Sequence, residues 1–391
     1  MRIFIQPTEA LLFRTGHPFN AGENNYAETL FPPTPETLQG AIRATIATHW
    51  DPEKTLAEAF QQEELVALIG NQEHYGRFCI TGSTPGRRAA SASVGAPVER
   101  LFPLPAHLWR EEEEGQRQVR LKPAPAAGVS TNLPDDMHLL YPERPAQSRL
   151  EAMKGWLTES GLQVTLHAQG EIAAGDIVEN NELYVNEMRV GIAIDGATKT
   201  TAEGMLYQAH MIRMNADPGA SFVYGFVVDI RLLAADVRSQ KNAAHRQFID
   251  DGETQRLLRL PDHGWLLLGG ERKAAYFEVI APASIEHSSE PARSGNLLYF
   301  ATPAALARGW QPAAWANPLS RPVAIASERF QPIGGWQLTP GSGGGRSKVT
   351  RRCVPAGSVY FFRSPVQMPP FLTDYGWQIG YGIIYTGEYQ P

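Results

Sequence analysis

The stretch from Phe13 to Arg43 constrains the fold of this chain more than any other. It reads as the end of a strand (Phe13-Arg14), a basic loop through Gly16-His17-Pro18-Phe19, and a helix opened by Phe31-Pro32-Pro33-Thr34-Pro35. Thr34 is suited to cap the first free amides, Pro35 to occupy the first helical position, and Glu36 to face the positive end of the helix dipole. Leu38, Ala41, Ile42 and Ile46 then recur at helical spacing, which predicts a helix over Pro35–His49 with one apolar face. The loop keeps Arg14 and His17 close to that helix N-terminus, a natural place for an anion. Arg43 lies on the same helix.

The rest of the chain bounds what this unit belongs to. At 391 residues it has room for roughly two domains. With 43% hydrophobic and 19% charged residues it buries real cores and is not disordered overall. Its formal charge of −6 repels nucleic acid on average, so a polyanion site has to be a local patch. The two cysteines, Cys79 and Cys353, are far apart and form no CxxC, which excludes a cysteine zinc site and a disulfide framework. The apolar run at Met1–Arg14 is broken by Gln6-Pro7-Thr8-Glu9, unlike a signal peptide, and no run reaches the length of a membrane helix. The expected location is the cytoplasm, with no membrane partner.

Along the chain, Arg2–Gln6 and Leu11–Arg14 read as strands around a turn, Pro52–Ile69 as a second helical stretch, and Arg77–Thr81 as a strand. Between about 85 and 149 prolines recur, and a large irregular insertion is expected, with one hairpin pairing Leu101–Pro103 and Val119–Leu121. Leu150–Glu159 reads as a helix, and Gln163–His167 and Arg189–Asp195 as strands. Met205–Met214 and Ser221–Leu232 flank the turn Asn215-Ala216-Asp217-Pro218-Gly219. A domain boundary is placed there, giving 1–217 and 218–391. Trp265–Leu268 and Ala274–Ile280 form a hairpin, Pro303–Ala307 a helical turn, and Lys348–Val354 and Ser358–Arg363 strands split by Pro355-Ala356-Gly357. Short strands with a few segregated helices predict an α+β architecture.

The most distinctive chemistry lies in Arg329–Thr373. This window holds Arg329, Arg346, Lys348, Arg351, Arg352 and Arg363 and no Asp or Glu, so it carries +6 and leaves −12 for the remainder. Trp336, Tyr360, Phe361 and Phe362 are interleaved with the cations, and Gly341–Gly345 precedes most of them. Cations neutralise phosphates, aromatic rings stack unpaired bases, and glycines admit a phosphate to the backbone. A solvated hairpin whose aromatics belong to the core fits the same composition. Gly341–Lys348 lacks the order of a nucleotide-binding P-loop, and no GxSxG is present. The ten histidines show no HxxxH spacing, and no metal or other cofactor is expected. His17 alone, between Gly16 and Pro18, is placed to stack, donate, or act as a general acid toward RNA.

Six blocks in order then resemble a known family. They are Phe13-Arg14…His17-Pro18-Phe19; Phe31-Pro32-Pro33-Thr34-Pro35…Leu38-Gln39-Gly40-Ala41-Ile42-Arg43; Val190–Asp195; Glu203-Gly204-Met205-Leu206-Tyr207; Leu268-Gly269-Gly270-Glu271-Arg272; and Val354–Phe361, with Gly380-Tyr381-Gly382 and Gly387 following. Together they resemble the third subunit of the Cmr complex, the type III-B CRISPR RNA-guided effector, within the RAMP superfamily. The resemblance implies two tandem ferredoxin-like (RRM-like) domains; the Pro-rich insertion read from the composition, which no block of the resemblance matches, falls in the first. It implies a non-catalytic antiviral subunit that holds the 5′ handle of the CRISPR RNA. The large polymerase/cyclase-like subunit and the first backbone RAMP subunit would be its protein partners. On that reading Arg346, Lys348, Arg351 and Arg352 contact phosphate, and Arg14, His17 and Arg43 form a second contact set. Tyr360 is the candidate stacking ring, since strand alternation turns at most one of Tyr360 and Phe361 toward RNA. Two other readings stand beside it: an endoribonuclease processing repeat RNA through His17, and a protein-only scaffold.

Overall fold

The computed structural model describes residues 1–14, 26–112, 117–126, 128–134, 136–167, 170–215, 219–234, 247–269, 271–281, 293–313, 321–338 and 345–390. The chain is mixed and sheet-rich with few helices. It opens with β1 (Arg2–Pro7) and α1 (Pro35–Trp50). The expected helix opening is present: Thr34 caps by accepting the Thr37 amide at 3.3 Å, and Pro35 stands in the first turn with Glu36. Leu38, Ala41, Ile42 and Ile46 are buried along one face. The second helical stretch is broken into Leu56–Ala59, opened by a Thr55–Glu58 capping box, and Glu63–Ile69, which has no side-chain cap. β2 (Phe78–Ala89) then runs through Pro85.

A long excursion follows. It contains α2 (Glu159–Leu166) and a hairpin of β3 (Tyr184–Ile194) and β4 (Thr201–Met214). The chain re-enters the first sheet with β5 (Phe222–Leu232), α3 (Asp251–Leu258), β6 (His263–Leu268) and β7 (Lys273–Ile280). The sheet order is β6-β7-β1-β5-β2, with the short strand Glu99–Arg100 at its edge. Every pair is antiparallel, with Phe4 opposite Val227 and Glu278. Taking β1, β2, β5 and β7 in chain order as first to fourth, their spatial order is fourth-first-third-second. Ile3 and Ile5 face the core beneath α1, together with Phe226, Val228 and Phe277.

The second half supplies β8 (Arg293–Phe300), β9 (Ala324–Ala326), β10 (Gln331–Ile333), β11 (Trp336–Leu338), β12 (Gly345–Ser347), β13 (Arg351–Val354), β14 (Val359–Met368) and β15 (Ile384–Gly387). A four-stranded sheet runs β9-β14-β8-β15, β13 pairs with β10 and with Ala304–Ala305, and among the described residues β11 pairs only with β12.

Several expectations are corrected. The boundary at 217/218 divides the first sheet, because β5, β6 and β7, which follow it, pair into the sheet begun by β1 and β2. The excursion, in turn, serves the second half: Leu162 and Leu166 of α2 pack with Leu297, Tyr299, Val359, Phe361 and Tyr385. The first sheet and the core packed on the second are thus assembled from segments distant in sequence, which no linker composition marks. Gln163–His167 is helical rather than extended, since Thr158 accepts the Gly161 amide at 3.2 Å and Leu162 and Leu166 dock as one helical face. Leu150–Glu159 is instead the strands Leu150–Ala152 and Trp156–Leu157 followed by the start of α2. Phe102–Pro103 pairs with Trp156–Leu157, while the hairpin of the insertion joins Leu108–Glu111 to Gln118–Ala124. The insertion is therefore less irregular than its prolines suggest. Ala304–Ala305 is extended against β13, not a helical turn.

Candidate nucleic-acid interface

The two basic regions singled out in the sequence meet through an acid. Glu36, in the first turn of α1, is only 12% exposed in its side chain and lies 3.1 Å from the Lys348 ammonium. Its other oxygen accepts a hydrogen bond from the Tyr375 hydroxyl at 2.7 Å. Tyr75 donates to the Tyr375 oxygen at 3.4 Å, and the Arg351 guanidinium stacks 3.6 Å above the Tyr375 ring. Burial, with Tyr75 and Glu36 adding to it, pushes the Tyr375 phenol well above its ordinary range, so it stays protonated and donates. Beneath this layer Ile333, Cys353, Ile379 and Tyr381 form a small core shared with Leu30 and Tyr75. Burial pushes the Cys353 thiol up to about 12, which makes it inert.

Alternation along β13 separates its two arginines. Arg351 is opposite Ile333 and turns toward Tyr375, whereas Arg352 is opposite Pro332 and lies 4.9 Å over the Phe330 ring. Arg352 is exposed, and Phe330 is 55% exposed. The β11–β12 hairpin adds Trp336, 60% exposed, and Arg346, also exposed, on opposite faces because Trp336 pairs with Ser347 and Arg346 with Gln337. Arg352 over Phe330 is a cation–aromatic pair of the kind that stacks unpaired bases while neutralising phosphate, and Trp336 is a second exposed ring.

The remaining candidates fall elsewhere. Arg14 is exposed at an antiparallel bridge to Thr29. Arg43 donates to the Gly70 carbonyl at 2.7 Å and lies 5.2 Å over Phe60, and burial lowers its guanidinium to about 10. It is tied into the first unit and is not presented to a ligand. His17 and most of the loop Gly341–Gly345 lie outside the described residues. Tyr360 corrects the expectation most clearly. It is fully buried, its hydroxyl donates to the Trp310 carbonyl at 2.8 Å, and Phe361 and Phe362 are buried as well. β14 is a central strand covered on both faces, so none of its rings is available to a base. The exposed rings, Phe330 and Trp336, sit beside short peripheral strands. No local signal separates them from the buried residues, since Ile333, directly before Gly334-Gly335, is itself buried.

A cleft of about 480 Å³ opens beside this surface, lined by Thr34 and Pro35 at the start of α1, by Trp109 and Trp156 from the excursion, and by Ser327 and Ser358. Among the described residues no group of three or more His, Cys, Asp or Glu side chains gathers as metal ligands. None of their helices is long and apolar enough to cross a membrane.

Residues 3–389 match the model of a CRISPR-associated protein family. The chain belongs to that family, Cas_Cmr3. The ordered sequence blocks and this match point to the same group. Solved structures with a likeness to the chain include a type III-B Cmr-beta complex bound to cognate target RNA and AMPPnP, at 15% identity and a TM-score of 0.47, covering 92% of this chain and 86% of that one. A Cmr-beta complex bound to cognate target RNA shows 14% identity, a TM-score of 0.47 and the same coverages. The apo Cmr-beta complex shows 11% identity and a TM-score of 0.30, with 71% and 95% covered. No curated protein matches the chain.

Proposed function

We propose that this chain is the non-catalytic subunit of a type III-B CRISPR effector that holds the 5′ handle of the CRISPR RNA. In that role it joins the large polymerase/cyclase-like subunit to the first backbone subunit, in the cytoplasm. Membership of the Cas_Cmr3 family supports the assignment to the effector. The observation that carries the RNA reading is the Arg352–Phe330 pair, 4.9 Å apart and exposed in a window without a carboxylate. An unpaired RNA end stacks on such rings while its phosphates meet Arg352 and Arg346. The fourth-first-third-second order of β1, β2, β5 and β7, with α1 and α3 in the connections, supports a ferredoxin-like unit for the first sheet. The experiment is crosslinking of handle RNA in the assembled complex with Arg346→Ala, Arg352→Ala, Phe330→Ala and Trp336→Ala together. Loss of the crosslink to this subunit is expected. An unchanged crosslink favours a protein-only scaffold, and specific cutting of repeat RNA by the isolated chain favours an endoribonuclease.

A further inference from the structure

The β11–β12 hairpin is a two-stranded sheet that hydrogen-bonds to no other strand among the described residues, yet it carries Trp336 and Arg346. Its root is where the chain is held. The Lys348 amide, just past β12, donates to the Gly335 carbonyl, just before β11, at 2.8 Å. The Lys348 side chain then crosses Gly335 to reach Glu36. A Cβ on Gly335 would stand 3.2 Å from Lys348 Cδ and 3.1 Å from Glu36 Oε2, so the absence of a side chain there leaves the path for the ion pair. Glu36 itself is held from behind by Tyr375, whose ring carries Arg351.

We infer that Glu36 is a positioning residue: its carboxylate pins Lys348 and thereby sets the angle at which the hairpin presents Trp336 and Arg346. This rests on the RNA reading above for its purpose, but not for its mechanics. Lys348, bound to Glu36, is accordingly a strut and not a phosphate ligand. The two roles of Glu36, charge and position, predict opposite effects. By Coulomb's law alone, removing a carboxylate from an RNA surface tightens binding. Removing a support that orders the surface weakens it, because the hairpin must then be ordered on binding.

The test uses the full chain with Glu36→Ala, Glu36→Gln and the exchanged pair Glu36→Lys with Lys348→Glu. Cleavage by trypsin after Arg346 reads hairpin order without RNA, and anisotropy of a short fluorescein-labelled oligouridylate reads binding. Expected are severalfold faster cleavage after Arg346 and severalfold weaker RNA binding for Glu36→Ala. Glu36→Gln, which keeps the Tyr375 hydrogen bond but not the ion pair, should be intermediate, and the exchanged pair should recover protease resistance. Unchanged cleavage, or tighter RNA binding by Glu36→Ala, overturns the proposal. If Arg352→Ala and Trp336→Ala leave oligouridylate binding unchanged, it is the RNA reading that falls, while proteolysis still decides whether Glu36 holds the hairpin.

Discussion

Lys348 Nζ stands 3.1 Å from Glu36 Oε2, joining positions 312 apart in the chain. The pair ties the first turn of the first helix to the root of the basic hairpin. With Lys348 36% and Glu36 12% exposed, it contributes on the order of 1 kcal/mol, aided by the helix dipole. Its larger consequence is electrostatic: one of the six cations of the acid-free window is already neutralised by a carboxylate from outside it.

The salt dependence of RNA binding should therefore distinguish the cations. Arg346→Ala and Arg352→Ala are each expected to lower the slope of log affinity against log salt by about 1. Lys348→Ala should leave the slope unchanged while weakening binding. Titrations of a single-stranded RNA at several salt concentrations measure this, and a slope lowered equally by Lys348→Ala would place its ammonium on a phosphate.

The aromatic residues divide by exposure. Phe330→Ala and Trp336→Ala should each weaken single-stranded RNA binding by about 1–3 kcal/mol, with little effect on folding. Tyr360→Phe should do the reverse. It removes the 2.8 Å hydrogen bond to the Trp310 carbonyl, costing about 1 kcal/mol of stability at unchanged RNA affinity. Thermal melts and RNA anisotropy on the same preparations separate the two classes.

His107 predicts a pH dependence of folding. It is buried edge-on to Phe361, and burial, with Arg120 nearby, lowers its pKa to about 3 from an ordinary 6.5. Between these values the unfolded chain binds a proton that the folded chain refuses. The contribution of His107 is therefore complete above about pH 6.5 and is lost as pH falls toward 3, with a slope of up to about 1.4 kcal/mol per pH unit. His107→Gln should flatten this acid limb in urea unfolding measured across pH, and an unchanged limb would mean that His107 is charged in the folded state.

Asp229 anchors the opposite face of the first sheet. It accepts from Arg2 Nε at 2.6 Å and pairs with Arg100, whose side chain is 1% exposed. Asp229→Ala leaves two buried guanidinium groups without their carboxylate and should cost about 3–5 kcal/mol. Adding Arg100→Met should return part of that loss. Denaturant midpoints check both variants, and a loss below about 1 kcal/mol for Asp229→Ala would mean that water reaches the pair.

Much of the local structure was legible. Thr34 as cap, Pro35 at the first helical position and Glu36 in the first turn are as read, because capping depends on residues within one turn of each other. The hairpin of β6 and β7 was legible from its flanking strands for the same reason. α2 was misread because Gln163–His167 alternates over too few residues to exclude a strand, and the partners that make it a helix, Leu297 and Tyr385, lie in the other half of the chain. The basic window is legible as a charge pattern, but the sequence does not distinguish a covered ring, Tyr360, from an exposed one, Phe330.

The amino-acid sequence by itself determined the helix opening at Thr34, the acid-free basic window and, through six ordered blocks, the family. These depend on neighbours in the chain or on order along it. Only the tertiary structure decided that β5 to β7 return to the first sheet, that α2 covers the second, that Glu36 reaches Lys348, and that Phe330 and Trp336 rather than Tyr360 face outward. Strand alternation defines two faces but does not say whether either is covered. Covering layers here come from segments hundreds of residues away, and their pairing is a property of the assembled sheets.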